Sequence, residues 1–464
     1  MQATRRSLAP FSEVGFRIRG GAVDSKSLRS KLDDNNSELE EDPIVDKAQQ
    51  RGMSAALASC YFTVMAAKCA LPVCLVPLTS KHGLQFPSTS AFGTQQLMAN
   101  LLALSTIAIA VGKLLLGPII DSFGGVLSLQ VALSALALLL GMISVGKSFQ
   151  LFAVCWIFVD FIFSSCWAGC INAIHQSFPQ RLWGKRVGML AAAARSGNAA
   201  AFAFFAWLLS AAGERGYTQS WRLVFGAACV LQTIPVALLM YCRPKKTSAT
   251  GDNVRTKTTI RDSLGALKRV SSTVPFWGHL ISRSMLMVFA SFLLFVPTLM
   301  SQVYGADPSL SAQVGSIFAL GCLVSVTLGS NAYAKLSKRK RAASIVALLG
   351  LSTLSSGAQL GHMLGKWHLS TRISAASMFL WGLSVAIPFY IPGSLYALSK
   401  GGLESSATIA DVFDMGGFAL LAAFNGYVAG IQHAVPAAWI ATFQFTTGCA
   451  LVALVSMVVA VLSE

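Results

Sequence analysis

From about residue 53 to its end, this chain alternates uncharged apolar stretches of bilayer-crossing length with short polar gaps. A helix of about 20 residues, rising ~1.5 Å per residue, covers a hydrocarbon layer of ~30 Å. Inside lipid an unpaired backbone N–H or C=O finds no water, so such stretches must be helical. The runs lie near 53–76, 95–117, 124–146, 150–174, 187–212, 221–241, 276–302, 311–334, 342–363, 371–397, 405–431 and 435–462. They predict an all-α polytopic membrane protein of about twelve transmembrane helices. The longest internal gap follows the sixth run, and it divides the chain into a polar tail at 1–52, a six-helix bundle at 53–241, a central loop at 242–275 and a second bundle at 276–464.

Charged residues make up 12% of the chain, about half the globular norm of roughly 25%, which excludes a soluble enzyme. The net charge of +17 would suit nucleic acid, but the basic residues gather in a few gaps instead of along one aromatic-bearing face. Arg181, Lys185 and Arg186 fall between the fourth and fifth runs, Lys335, Lys338, Arg339, Lys340 and Arg341 between the eighth and ninth, and eight Lys/Arg in the central loop. Short Lys/Arg-rich loops stay in the cytosol, so both termini are expected there. The expected partners are the lipid bilayer and a small-molecule substrate, with no nucleic acid, no cofactor and no metal, and the expected state is a monomer. No P-loop pattern and no nucleophile or paired acid–base constellation stands out. The ten cysteines lie within or at the ends of apolar runs and read as small packing residues. The tail has no apolar segment of the secretory type; it reads as a disordered cytosolic segment, or, from its opening MQATRRSLAPFSEVGFRIR, as an organellar targeting sequence.

Between the second and third runs stands Gly117-Pro-Ile-Ile-Asp121-Ser-Phe-Gly124-Gly125, a helix end followed by a glycine turn. This segment resembles the major facilitator superfamily signature G-x-x-x-D-R-x-G-R/K, with Ser122 where Arg is usual. A corresponding gap in the second half, Gly329 to Lys335, has Tyr333 in place of the acid and a basic cluster after it. The resemblance implies two pseudo-symmetric six-helix bundles that rock about a midplane site, with Asp121 in a cytoplasmic latch.

An ionisable side chain inside a span costs at least ~2.5 kcal/mol and so usually has a task. Lys68, Lys113, Arg195 and Arg283 are the cations, Asp160, Asp411 and Asp414 the acids, and His175 closes the fourth run. Cations converging from both halves would hold an anion, Arg by a bidentate fork and Lys as a point charge. The set is similar to that of the organophosphate:phosphate antiporters, which include the glycerol-3-phosphate transporters. The resemblance assigns substrate contact to Lys68 and Arg283 on helices 1 and 7, Lys113 on helix 2 and His175 at the end of helix 4, and Arg195-Ser-Gly-Asn198 follows the pattern of helix 5. Lys68 stands where those exchangers favour Arg. Exchange of a small organic anion or phosphate ester is the function implied. Each residue also has a structural alternative. Arg283 could reach the surface as an anchor, Lys113 could brace the gate, Arg195 could pair with an acid, and His175 could cap an interface. Asp411 and Asp414 share one helix face and serve either as latch partners or, with Asp160, as coupling groups that carry protons. A proton-coupled symporter of another anion or a neutral metabolite, and a non-transporting receptor on the same fold, are the rival functions.

Overall fold

The computed structural model describes residues 47–79, 83–86, 93–242, 259–306, 308–431 and 435–464. The tail up to residue 46 and the basic stretch 243–258 of the central loop lie outside the described residues. In chain order the helices are α1 (Lys47–Lys68), α2 (Ala70–Thr79), α3 (Thr94–Phe123), α4 (Gly125–Val145), α5 (Phe149–Ser177), α6 (Trp183–Glu214), α7 (Trp221–Tyr241), α8 (Ile260–Ser271), α9 (Val274–Ser291), α10 (Val296–Tyr304), α11 (Pro308–Lys335), α12 (Lys338–Met363), α13 (Thr371–Tyr390), α14 (Pro392–Ile431) and α15 (Val435–Ser463).

Among the described residues, ten helical segments are long and apolar enough to cross a membrane, and the bent pair α9 and α10 makes an eleventh. The longest of them, 55 residues from Thr371 to Asn425, is too long for one crossing. It turns at Gly402, whose φ of 57° suits a residue without a side chain, and at Ser405, where φ is −150°. Dividing it there restores the twelve expected spans.

Three spans are interrupted, each at a proline. A proline has no N–H, so the carbonyl four residues earlier loses its partner. Pro72 releases Lys68 where α1 gives way to α2, and Pro297 releases Leu293 where α9 bends by 53° into α10. Pro392 releases Pro388 at the joint of α13 and α14.

Two boundaries differ from expectation. The first helix begins at Lys47 instead of near 53, so the end of the polar tail forms its opening turns. The central loop contains α8, whose Thr259 and Asp262 close a capping box and whose Ser263 and Ala266 are buried.

α3, α4, α5 and α7 pack into one bundle, while α9, α11, α12, α13 and α15 pack into another. The bundles meet where α3 and α5 lie along α14 and where α6 lies along α11. Gly52 of α1 touches Cys242 just beyond α7, and Glu464 touches His279 of α9, so both described chain ends share one face. We call this the terminal face; α8 lies on it, with the Ser263 hydroxyl donating to the Glu404 carbonyl at 2.6 Å.

Candidate functional site

The contact between bundles is closest in the half nearest the terminal face. Gly184 and Gly188 of α6 leave no room for a Cβ beside Ala334 and Ser330 of α11, and Gly117 of α3 sits against the backbone of Thr408. Small residues of this kind let helix backbones approach closely in lipid.

Asp121 lies in the last turn of α3, whose helix runs on to Phe123 before Gly124, at φ 90°, turns the chain into α4. Its carboxylate crosses to the other bundle. Oδ1 accepts the Ala407 N–H at 3.0 Å, and Oδ2 accepts the Thr408 N–H at 2.8 Å and the Thr408 hydroxyl at 2.6 Å. Those amides follow Ser405, so they open the helix that restarts there, and an acid satisfies donors that the helix itself cannot. Asn172 of α5 steadies the acid through Nδ2 at 2.8 Å while its Oδ1 accepts the Gly125 N–H at 2.7 Å.

Deeper in the same interface, Lys113 of α3 holds Asp411 at 2.8 Å and Asp414 at 3.0 Å. Arg283 of α9 binds Asp414 from Nε and from its terminal nitrogen, both at 2.8 Å. It also donates to the Phe389 carbonyl and lies 3.6 Å from the Phe389 ring. All four ions are buried, and two positive charges balance two negative ones. Arg283 therefore does not reach the surface as an anchor. Buried ions persist only when paired and hydrogen-bonded, and here the pairing spans both bundles.

Lys68 is ion-paired with Asp160 of α5, inside the first bundle. Its ammonium also faces the Phe163 ring at 5.0 Å and the Trp156 ring at 5.2 Å. With 23% of its side chain exposed it is the most accessible of these cations. His175 stands apart, half-buried at the end of α5, its ring 5.0 Å from Trp183.

Arg195 differs from the other three. It is 8% exposed, its Nε has no hydrogen-bond partner, and among the described residues no acid pairs with it. The guanidinium lies over the Tyr390 ring at 5.5 Å, across the bundle interface. Tyr390 meets Trp167 at 5.6 Å, and Trp167 meets Tyr61 at 4.9 Å. Nearby, Gly197 packs on the Phe62 backbone, and the Asn198 side chain accepts from the Cys69 thiol at 3.5 Å. A cavity with room for one water lies between Trp167, Arg283 and Asp414.

The structure thus brings Lys113, Arg283, Asp411 and Asp414 into one cluster, places Lys68 with Asp160 in a second, and leaves Arg195 among tyrosines. Tyr390 was not singled out in the sequence, where its only signal is a polar-tipped aromatic in an otherwise apolar run.

Among the described residues, no group of three His, Cys, Asp or Glu could hold a metal ion. By sequence, the model of the Major Facilitator Superfamily matches residues 54–423. The chain belongs to this superfamily. Its members and its fold are those of membrane transporters, not enzymes. Among curated proteins, none matches the sequence. Among solved structures, the proton:xylose symporter XylE bound to 6-bromo-6-deoxy-D-glucose superposes with a TM-score of 0.67 at 13% identity, over 88% of this chain and 95% of that one. The human organic anion transporter MFSD10 gives 0.64 at 13% identity, over 89% and 99%. The E. coli fucose:proton symporter FucP gives 0.58 at 14% identity, over 87% and 97%. At these identities the likeness is one of fold.

Proposed function

We propose that this superfamily member carries a small organic anion across its membrane by alternating access, by exchange, and that Arg195 is the group that holds the anion. The observation behind this reading is the buried, acid-free guanidinium at the junction of the two bundles. A guanidinium without a counter-ion in a low-dielectric site is costly, and an arriving carboxylate or phosphate supplies the missing charge with two-pronged geometry. Lys68 lies on the same face of the first span as Tyr61, two turns away, and attracts the anion toward the site. The Lys113 cluster and the Asp121 clasp serve as the gate of the terminal face. With both termini in the cytosol, the side that the basic loops favour, this arrangement corresponds to the state closed to the cytosol. The carrier works as a monomer, with its two bundles as the moving bodies.

Counterflow into proteoliposomes preloaded with unlabelled anion tests the reading. Labelled carboxylates and phosphate esters enter through the wild type, Arg195→Ala abolishes their entry, and Arg195→Lys retains a weakened uptake. If Arg195→Ala transports normally, the assignment fails.

A second reading rests on a different observation. Lys68, Lys113 and Arg283 each sit against a carboxylate, an arrangement in which proton uptake by the acid frees the base. XylE and FucP are proton symporters and MFSD10 an organic anion transporter, so this fold accommodates either cycle. A pH gradient alone driving uptake against a concentration gradient, lost in Asp160→Asn, would favour symport over exchange.

A further inference from the structure

We infer that the substrate is a monovalent anion, a monocarboxylate in preference to a dicarboxylate or a phosphate ester; this rests on the proposal that Arg195 holds the anion. The argument is a count of charge. Among the described residues, four cations stand deep within the spans, Lys68, Lys113, Arg195 and Arg283, and three of them are matched by three aspartates. Asp121 keeps its own negative charge but stands apart from this set: it lies in the last turn of α3, at the end of its span, where two amides and a hydroxyl of the opposite bundle solvate its carboxylate. One positive charge is left over, at Arg195.

A single anionic charge completes the pairing of this set. A dianion leaves one charge unmatched in a low-dielectric site, unless it pulls Lys68 from Asp160 or breaks the Lys113 cluster and strands a buried carboxylate. The walls suit an apolar body, since the guanidinium is flanked by the Tyr390, Trp167 and Tyr61 rings.

Lys68 shows how the count can be altered. It is the most accessible of the paired cations, and its only ionic partner among the described residues is Asp160. Asp160→Asn removes that partner and raises the free positive charge from one to two.

The test uses the full chain in proteoliposomes at pH 7.5, with benzoate, phthalate and phenyl phosphate as one set and butyrate, succinate and glycerol 3-phosphate as another. In each set the monoanion enters the wild type at least about tenfold faster than either dianion, as expected when a buried charge is left unpaired. Asp160→Asn shifts the dianion-to-monoanion ratio upward by several fold. Entry of every anion is lost in Arg195→Ala. Dianions preferred by the wild type, with entry still dependent on Arg195, overturn the monovalent assignment while the anion reading stands. No anion entering, or entry indifferent to Arg195→Ala, overturns the anion reading and this inference with it. The wild-type ratio decides the matter even if Asp160→Asn does not assemble.

Discussion

At the scale of single residues, the described interior sets cations paired with aspartates beside Arg195, which has no acid partner. Lys113 binds two aspartates at once, so Lys113→Met leaves Asp411 and Asp414 buried with only Arg283 between them. Breaking a buried pair from one side costs about 3–5 kcal/mol, and the melting temperature of the detergent-solubilised variant falls accordingly. Replacing the pair together, as Lys113→Met with Asp411→Leu, recovers most of that loss, because apolar groups of similar volume need no counter-charge. A double variant melting no higher than the single one would contradict this account of the cluster. The ions themselves were legible in the sequence, since a charge in an apolar run is conspicuous. Their partners were not: Lys113 and Asp411 are 298 residues apart, and only packing joins them. For the same reason the sequence could not show that Arg195 lacks an acid.

At the scale of helices, periodicity and length placed all twelve spans, because lipid forces each apolar run to satisfy its own backbone. What lay beyond reach was the irregular backbone. The end of α3 extends past Pro118 to Phe123, and the turn at Gly402 lies within one long helical stretch. The helix α8 was equally hidden, since its apolar residues are too few to stand out among so many basic neighbours. The approach of α6 to α11 depends on glycines, and a side chain at Gly188 overlaps Ser330. Gly188→Leu therefore wedges the terminal face apart. The readout is alkylation of Cys322, a buried thiol on α11: a water-soluble maleimide modifies its peptide faster in Gly188→Leu than in the wild type, as followed by mass spectrometry. Equal labelling would mean that the helices part elsewhere.

At the scale of the whole molecule, the two bundles pack against each other across α3, α5 and α6 on one side and α11 and α14 on the other. The interface contains matched ions, a capped helix start and interlocking small residues, which together define one mutual position. Residues 1–250 and 251–464, produced as two chains in one membrane, are accordingly expected to copurify as a one-to-one complex and to recover transport. Recovery of neither half with the other would show that the covalent link is needed to form the interface.

The contact of Asp121 with the start of the helix after Ser405 has a consequence for how the carrier moves. Parting the bundles strips a carboxylate, two amides and a hydroxyl of their partners, and only solvent can replace them. The joint therefore opens by hydration: several water molecules enter with each opening and leave with each closure. Osmotic stress from a solute too large to follow them, applied on that side, draws the water out and holds the carrier shut. Turnover falls as osmolality rises, at constant substrate gradient, and the slope of its logarithm reports the number of waters exchanged per cycle.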